Sequence, residues 1–284
     1  MVTSEQRRRQ LAREKYERQA QRRAEAQQRA RRRNTIIGAA LAVVVLAGGG
    51  ALVGGAFDSG DKKEKDTAAQ APPTSPATQP TAAPTRTPVE GCAAPAEGKP
   101  GGKQWKTEPA LTVDTKAAYT ATLDTNCGKV TIALDAAKAP HTVNSFAFLS
   151  GEQYFDHVKC HRLTTDGIFV LQCGDPTAGD PTAAGANPGG AGGPGYQFAD
   201  ENLTGATYPA GTVAMANAGP GTNGSQFFLV YKDTKLPPNY TPFGKITGGL
   251  DSLQKIADAG TLERSSDGHP MADVTLNSVT TVKS

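Results

Sequence analysis

Apolar positions divide this chain into three regimes. Residues 5–33 are almost all helix formers, without Gly or Pro, yet Leu11 and Tyr16 are nearly their only large apolar side chains. Such a segment is a solvated, partly helical tail. Thr35–Phe57 is then a run of about 23 uncharged residues, and at about 1.5 Å each it makes roughly 34 Å of helix, enough to cross a hydrocarbon core of about 30 Å. From Trp105 onward, short β-branched and aromatic runs alternate with turn formers.

In that last regime Ala118–Thr125 and Lys129–Leu134 flank Asn126-Cys127-Gly128 and predict a hairpin. Pro140 suits the first turn of a helix whose buried side is Val143, Phe146 and Leu149, and Gly151 ends it. Val158–Leu163 and Ile168–Gln172 flank the turn Thr164–Gly167 as a second hairpin. A Gly/Pro/Ala loop, Asp175–Gly195, leads to Tyr196-Gln197-Phe198. Val213–Ala216, Asn217–Ser225 and Phe227–Tyr231 read as strand, loop and strand. Tyr240–Ile246, a helix Asp251–Ala259 stopped by Gly260, and a strand Asp273–Val282 complete the pattern. Many short strands with two helices predict a mainly β fold, a closed barrel capped by the helices.

Charge is unevenly placed and changes the picture upstream. Met1–Asn34 holds 12 Lys/Arg against 4 Glu, about +8, so the rest of the +3 chain carries about −5. Basic residues before the apolar run and none close behind it place the amino end in the cytoplasm, with the tail facing anionic lipid. The tail lacks the aromatic residues that stack on bases, so nucleic acid is not the expected partner. A cleaved signal peptide is the rival reading, but its basic region would be unusually long and no A-x-A site follows at once. From Asp58 to about Gln104 a Pro/Thr/Ala-rich stretch cannot bury a core; its ~45 residues reach on the order of 140 Å when extended. The expected organisation is a cytoplasmic tail (1–34), one transmembrane helix (35–57), a disordered linker (58–104) and an extracytoplasmic domain (105–284) on a single-pass plasma-membrane protein.

Four cysteines, 92, 127, 160 and 173, lie beyond the apolar run, and an even count outside the cytoplasm favours two disulfides. Three pairings are possible. Cys160 and Cys173 lie about equally far from the Thr164–Gly167 turn, so a hairpin opposes them, which leaves Cys92 for Cys127. His157, Cys160, His161 and Cys173 are also zinc-ligand types, but neighbours on a strand point to opposite faces, so no metal is expected.

Gly219-Pro-Gly221-Thr-Asn-Gly224 matches G-x-G-x-x-G, the dinucleotide fingerprint. A true fingerprint opens a helix, and here the strand pattern Gln226-Phe-Phe-Leu-Val-Tyr231 follows. The order Met215-Ala-Asn217, glycine-rich loop, Ser225-Gln-Phe-Phe228 resembles the cyclophilin family of peptidyl-prolyl isomerases. So does Cys160-His-Arg-Leu163 followed by Phe169-Val-Leu-Gln-Cys-Gly-Asp175. The resemblance covers about Tyr119–Val282 and implies the family's eight-stranded barrel. It implies that Arg162 is catalytic, with Gln172 steadying it or the substrate carbonyl. His161, Phe169, Val170, Met215, Ala216, Asn217, Ala218, Gln226, Phe228, Leu236 and Tyr240 would line the substrate groove. Two extra residues between His161 and Phe169 depart from the common spacing and enlarge the hairpin tip. Lys235 stands where many members have a tryptophan that contacts cyclosporin.

Rotation about an X–Pro amide breaks no covalent bond, so no nucleophile, metal, cofactor or general base is needed. The barrier, about 18–20 kcal/mol, comes from lone-pair sharing between nitrogen and carbonyl, and a fixed donor that favours the twisted nitrogen lowers it. The expected partners are proline-containing segments of unfolded or secreted proteins, met by a monomer. The alternative is a chaperone or adaptor that holds such segments in the same groove, with catalysis incidental.

Overall fold

The computed structural model describes residues 85–284. The basic tail, the apolar run and the linker as far as residue 84 lie outside the described residues, together with the readings made on them. No described helix is long and apolar enough to cross a membrane.

The first hairpin is β1 (Tyr119–Thr125) and β2 (Gly128–Leu134). Tyr119, Ala121 and Leu123 alternate inward on β1, as Val130, Ile132 and Leu134 do on β2. Helix α1 (Pro140–Gly151) follows, and β3 (Val158–Lys159), β4 (Arg162–Asp166) and β5 (Ile168–Cys173) occupy the predicted second hairpin. After the long loop come β6 (Thr212–Met215), β7 (Phe227–Val230), β8 (Pro242–Gly248), helix α2 (Leu250–Asp258), β9 (Asp267–Gly268) and β10 (Thr275–Lys283). The ten strands form one curled sheet in the order β3-β10-β1-β2-β8-β6-β7-β5-β4-β9.

The closed barrel expected from the pattern, and the eight strands that the resemblance implies, are observed as one curled ten-stranded sheet. Two local events account for the difference. The predicted strand Val158–Leu163 breaks at Cys160-His161: Cys160 N donates to Val274 O on one side and His161 N to Gln172 O on the other. One extended segment thus forms one edge of the sheet as β3 and the strand next to the other edge as β4. A two-residue strand, β9, also joins β4 opposite Leu163 and Thr164, and nothing in Ser265-Ser266-Asp267-Gly268 signals a strand.

Both expected disulfides are present, Cys92–Cys127 and Cys160–Cys173. The hairpin supporting the second is not the one predicted. Gly167, at φ +68°, turns the chain so that Asp166 pairs with Ile168, and the register sets Arg162 opposite Gln172. Cys160 is therefore offset by one residue from Cys173. It reaches its partner because the chain leaves the ladder at His161.

The helices seal the interior. Phe146 of α1 meets Phe155, Phe227 and Phe243 with ring centroids 5.1–5.4 Å apart. No side chain at Ala139 caps α1. Instead the Glu201 carboxylate accepts from His141 N (3.1 Å) and Thr142 N (2.8 Å), a cap supplied from sixty residues away. Leu253, Ile256 and Ala257 are the buried side of α2.

Residues 85–104, read from composition as the end of a linker, lie against the sheet as a strap. Arg86 Nη1 donates to Pro270 O (2.9 Å) and Met271 O (3.1 Å). Ala93 N donates to Asn126 O (2.8 Å), while the buried Asn126 amide donates to Ala93 O and Asp273 O and accepts from Thr275 N. Composition hides this because the strap is held by backbone groups, one arginine and one cystine rather than by an apolar face.

Candidate active site

Strand register assembles the site. Arg162 on β4 is the ladder partner of Gln172 on β5, Gln172 of Phe228 on β7, and Phe228 of Ala214 on β6. Pairing partners share a face, so these four residues form one row across four strands. The row to one side consists of Leu163, Leu171, Leu229 and Val213, which point into the core and are at most 2% exposed. Period-two alternation thus separates a chemical row from the core row beside it.

The row's polar end is a directed chain of hydrogen bonds. Arg162 Nη1 donates to Gln172 Oε1 (3.3 Å), Gln172 Nε2 to Gln226 Oε1 (2.9 Å), and Gln226 Nε2 to the Gly192 carbonyl (2.8 Å). A guanidinium only donates and a carbonyl only accepts, so both ends force the same orientation on the two amides between them. The Arg162 Nε and Nη2 atoms also donate to Asp267 Oδ1 and Oδ2, both at 2.7 Å.

The Gly192 carbonyl is placed by Asp175, which is fully buried. Its Oδ2 accepts from the backbone N–H groups of Gly190, Ala191 and Gly192 (2.7–3.1 Å), and its Oδ1 from Thr177 N and Thr177 Oγ1 (both 2.7 Å). Burial opposes ionisation, but the Gly192 N–H and the two Thr177 donors outweigh it and hold the Asp175 carboxyl below the usual range. Gly192 must be glycine, because a Cβ there would collide with Asp175 Oδ1. The end of the strap and the residue after it brace the same loop: Gln104 Nε2 donates to Gly193 O (2.7 Å) and Trp105 N to Pro194 O (2.8 Å).

The row's apolar end is a cup. Val170, Ala214 and Phe228 are buried with Tyr208, and Ala216, Leu236 and Tyr240 pack against them. Tyr240 meets Phe228 edge to face at 5.5 Å, and the Tyr208 hydroxyl donates to Tyr240 O (2.8 Å) and accepts from Tyr240 N (3.1 Å). The Asn217 side chain ties down the facing loop by donating to Asn239 O (2.8 Å). A cavity of about 870 Å³ runs from Gln172, Ala216, Asn217 and Gln226 past the exposed Ala218 to Lys106 and Glu108 of the chain before β1.

Three expected groove residues lie elsewhere. Met215 alternates to the core face and is 3% exposed within the main cluster. Phe169 alternates with Leu171 to that face as well, packs edge on to Tyr231 (6.1 Å), and carries Lys232 over its ring. His161 sits at the break between β3 and β4, buried, with neither ring nitrogen bonded among the described residues. Burial holds its pKa below the ordinary value. The reading from sequence missed Asp175, Gly192, Tyr208 and Asp267. Asp175-Pro-Thr177 does carry a local turn signature, whereas capture of Gly190–Gly192 is a tertiary event.

Residues 120–281 match the family described as cyclophilin type peptidyl-prolyl cis-trans isomerase/CLD. The chain belongs to the cyclophilin family. It is 44% identical over 203 residues to a probable peptidyl-prolyl cis-trans isomerase B of Mycobacterium leprae, covering 66% of this chain and 65% of that protein. The Mycobacterium tuberculosis protein of the same description is 40% identical over 227 residues, covering 75% of this chain and 68% of that one. A solved cyclophilin type peptidyl-prolyl cis-trans isomerase of Cryptosporidium parvum aligns at 25% identity with a TM-score of 0.49, over 59% of this chain and 99% of that one. The cyclophilin match spans the row, the hydrogen-bond chain and the cup, and leaves the strap outside it.

Proposed function

We propose that this cyclophilin accelerates cis–trans rotation of X–Pro bonds without covalent chemistry, with Arg162 as the catalytic donor. The observation that carries this reading is the single row Arg162–Gln172–Phe228–Ala214, which sets a fixed cation beside an apolar cup. The proline ring lies on Phe228, Val170, Leu236 and Tyr240. The guanidinium donates to the amide nitrogen as its lone pair localises, so it binds the twisted amide more tightly than the planar one. Gln172, aligned from its far side by Gln226, steadies the guanidinium. A rate gain of five to six decades asks roughly 7–8 kcal/mol of these contacts together.

The cavity beside Gln226 gives room for the peptide beyond the proline. The substrates are proline-containing segments of unfolded or secreted chains, and the domain acts outside the cytoplasm as a monomer held to the plasma membrane by the 35–57 run. Two disulfides among the described residues support an oxidising location. The mechanism is tested by comparing wild type with Arg162→Lys in a protease-coupled proline-peptide assay. Lys keeps the charge but loses the planar fork, so most turnover is lost; near-wild-type turnover sinks the assignment.

A further inference from the structure

The carboxylate facing Arg162 lies within the matched stretch 120–281 but outside the two motifs, Cys160–Asp175 and Met215–Phe228, that point to the site. Asp267 is on β9, where it is the ladder partner of Thr164, two residues along β4 and on the same face as Arg162. At that diagonal spacing a long side chain reaches its neighbour. Nε and Nη2 of Arg162 each meet one Asp267 oxygen at 2.7 Å, a fork-on-fork pair. Each partner favours the other's charged form: the hydrogen bond raises the Arg162 pKa further and holds the Asp267 carboxyl below its usual range.

The turn that presents Asp267 is braced by its own bonds. Ser265 N donates to Thr261 Oγ1 (2.9 Å), Thr261 Oγ1 to Ser265 O (2.6 Å), and Ser265 Oγ to Asp267 O (2.7 Å). Thr165 N donates to Ser266 O (2.9 Å), fixing the turn to β4. A surface ion pair made by a mobile loop does little, but this carboxylate is presented by a fixed backbone.

We propose that Asp267 is a positioning residue for Arg162, holding the guanidinium plane in the orientation that the isomerisation uses. A guanidinium has five N–H donors. Two go to Asp267 and one to Gln172, so two remain for the substrate amide. Without Asp267 the side chain is anchored by Gln172 alone and swings about its long stem. The role rests on Arg162 being the catalytic donor.

The test measures kcat and KM separately on a short proline peptide, in the full chain, for Asp267→Ala, Asp267→Asn, Arg162→Ala and the double variant Arg162→Ala/Asp267→Ala. Loss of orientation lowers kcat by about tenfold in both Asp267 variants, with KM within about twofold. The Asn variant keeps the turn's backbone bonds and so separates charge pairing from folding. In the Arg162→Ala background, loss of Asp267 changes residual turnover by less than about twofold, because a residue that acts through the arginine has nothing left to act on. The Arg162 Nε–H resonance, sharp and slowly exchanging in the wild type, broadens in both Asp267 variants. Wild-type kcat in Asp267→Ala beside an inactive Arg162→Ala overturns the positioning role alone, as do equal losses in both backgrounds. Wild-type kcat in Arg162→Ala overturns the catalytic reading and this role with it.

Discussion

Gln172 donates its amide N–H to Gln226 Oε1 at 2.9 Å, and that one bond passes the orientation of a fixed loop carbonyl to the guanidinium. The order cannot be reversed, because Arg162 has no acceptor and Gly192 offers only its oxygen. Gln226→Glu breaks the order by removing the donor to Gly192 O and bringing a second acceptor into the site. We expect kcat/KM to fall by about tenfold while the melting temperature changes little, since each link contributes about 1 kcal/mol net. A proline-peptide assay beside a thermal melt checks both halves.

Asp175 is the fixed point of the loop that carries Gly192. Asp175→Asn turns one acceptor oxygen into a donor facing N–H groups that already donate. A loss of about 2–4 kcal/mol in chemical denaturation is expected, with faster proteolysis between Thr177 and Gly195. The acid limb follows from linkage. The folded-state pKa is depressed, so this carboxylate contributes stability above its unfolded value of about 3.9 and loses it as pH falls through the folded value. Denaturation curves below about pH 4 lose that dependence in the Asn variant.

The pH profile of the rate separates Arg162 from His161. Asp267 raises the arginine further above neutral, and burial depresses the histidine. Arg162 keeps its charge throughout, so a rate carried by the guanidinium gives a flat kcat/KM between about pH 6 and 8. A sigmoid centred below the ordinary histidine value of about 6.5, read by exchange NMR to avoid the pH dependence of a coupling protease, assigns the chemistry to His161 instead.

The strap gives a stability prediction. Cys92–Cys127 closes a loop with a sequence separation of 35, which chain entropy values at about 4 kcal/mol. The Cys92→Ser/Cys127→Ser pair should therefore unfold at markedly lower denaturant, and the strap, left with its hydrogen bonds, becomes more protease-sensitive upstream of Trp105. An intact mass about four daltons below that of the reduced wild-type chain reports both bridges, two hydrogens being lost per bridge.

Most elements were legible because their signals are local. Alternation gave β1, β2, β5, β7 and the final strand; Pro140 and the spacing of Val143, Phe146 and Leu149 gave α1 with its observed bounds. Where a second segment supplied the partner, the signal failed. Strand β3/β4 reads as continuous, yet it breaks where its two ends bond different neighbours. Phe169 and Met215 look like groove residues beside Val170 and Ala216, but alternation sends Met215 into the core and sets the half-buried Phe169 against it.

The order of residues alone identified part of the site: one arginine, two glutamines and an apolar set whose strand and turn propensities act over a few neighbours. Only the tertiary structure decided how they meet. Ladder register aligned Arg162, Gln172 and Phe228; β9 brought Asp267 from 105 residues away, and Asp175 drew in a loop 15 to 17 residues ahead. Pairing between distant backbones depends on the packing of the whole sheet, and no local propensity encodes it.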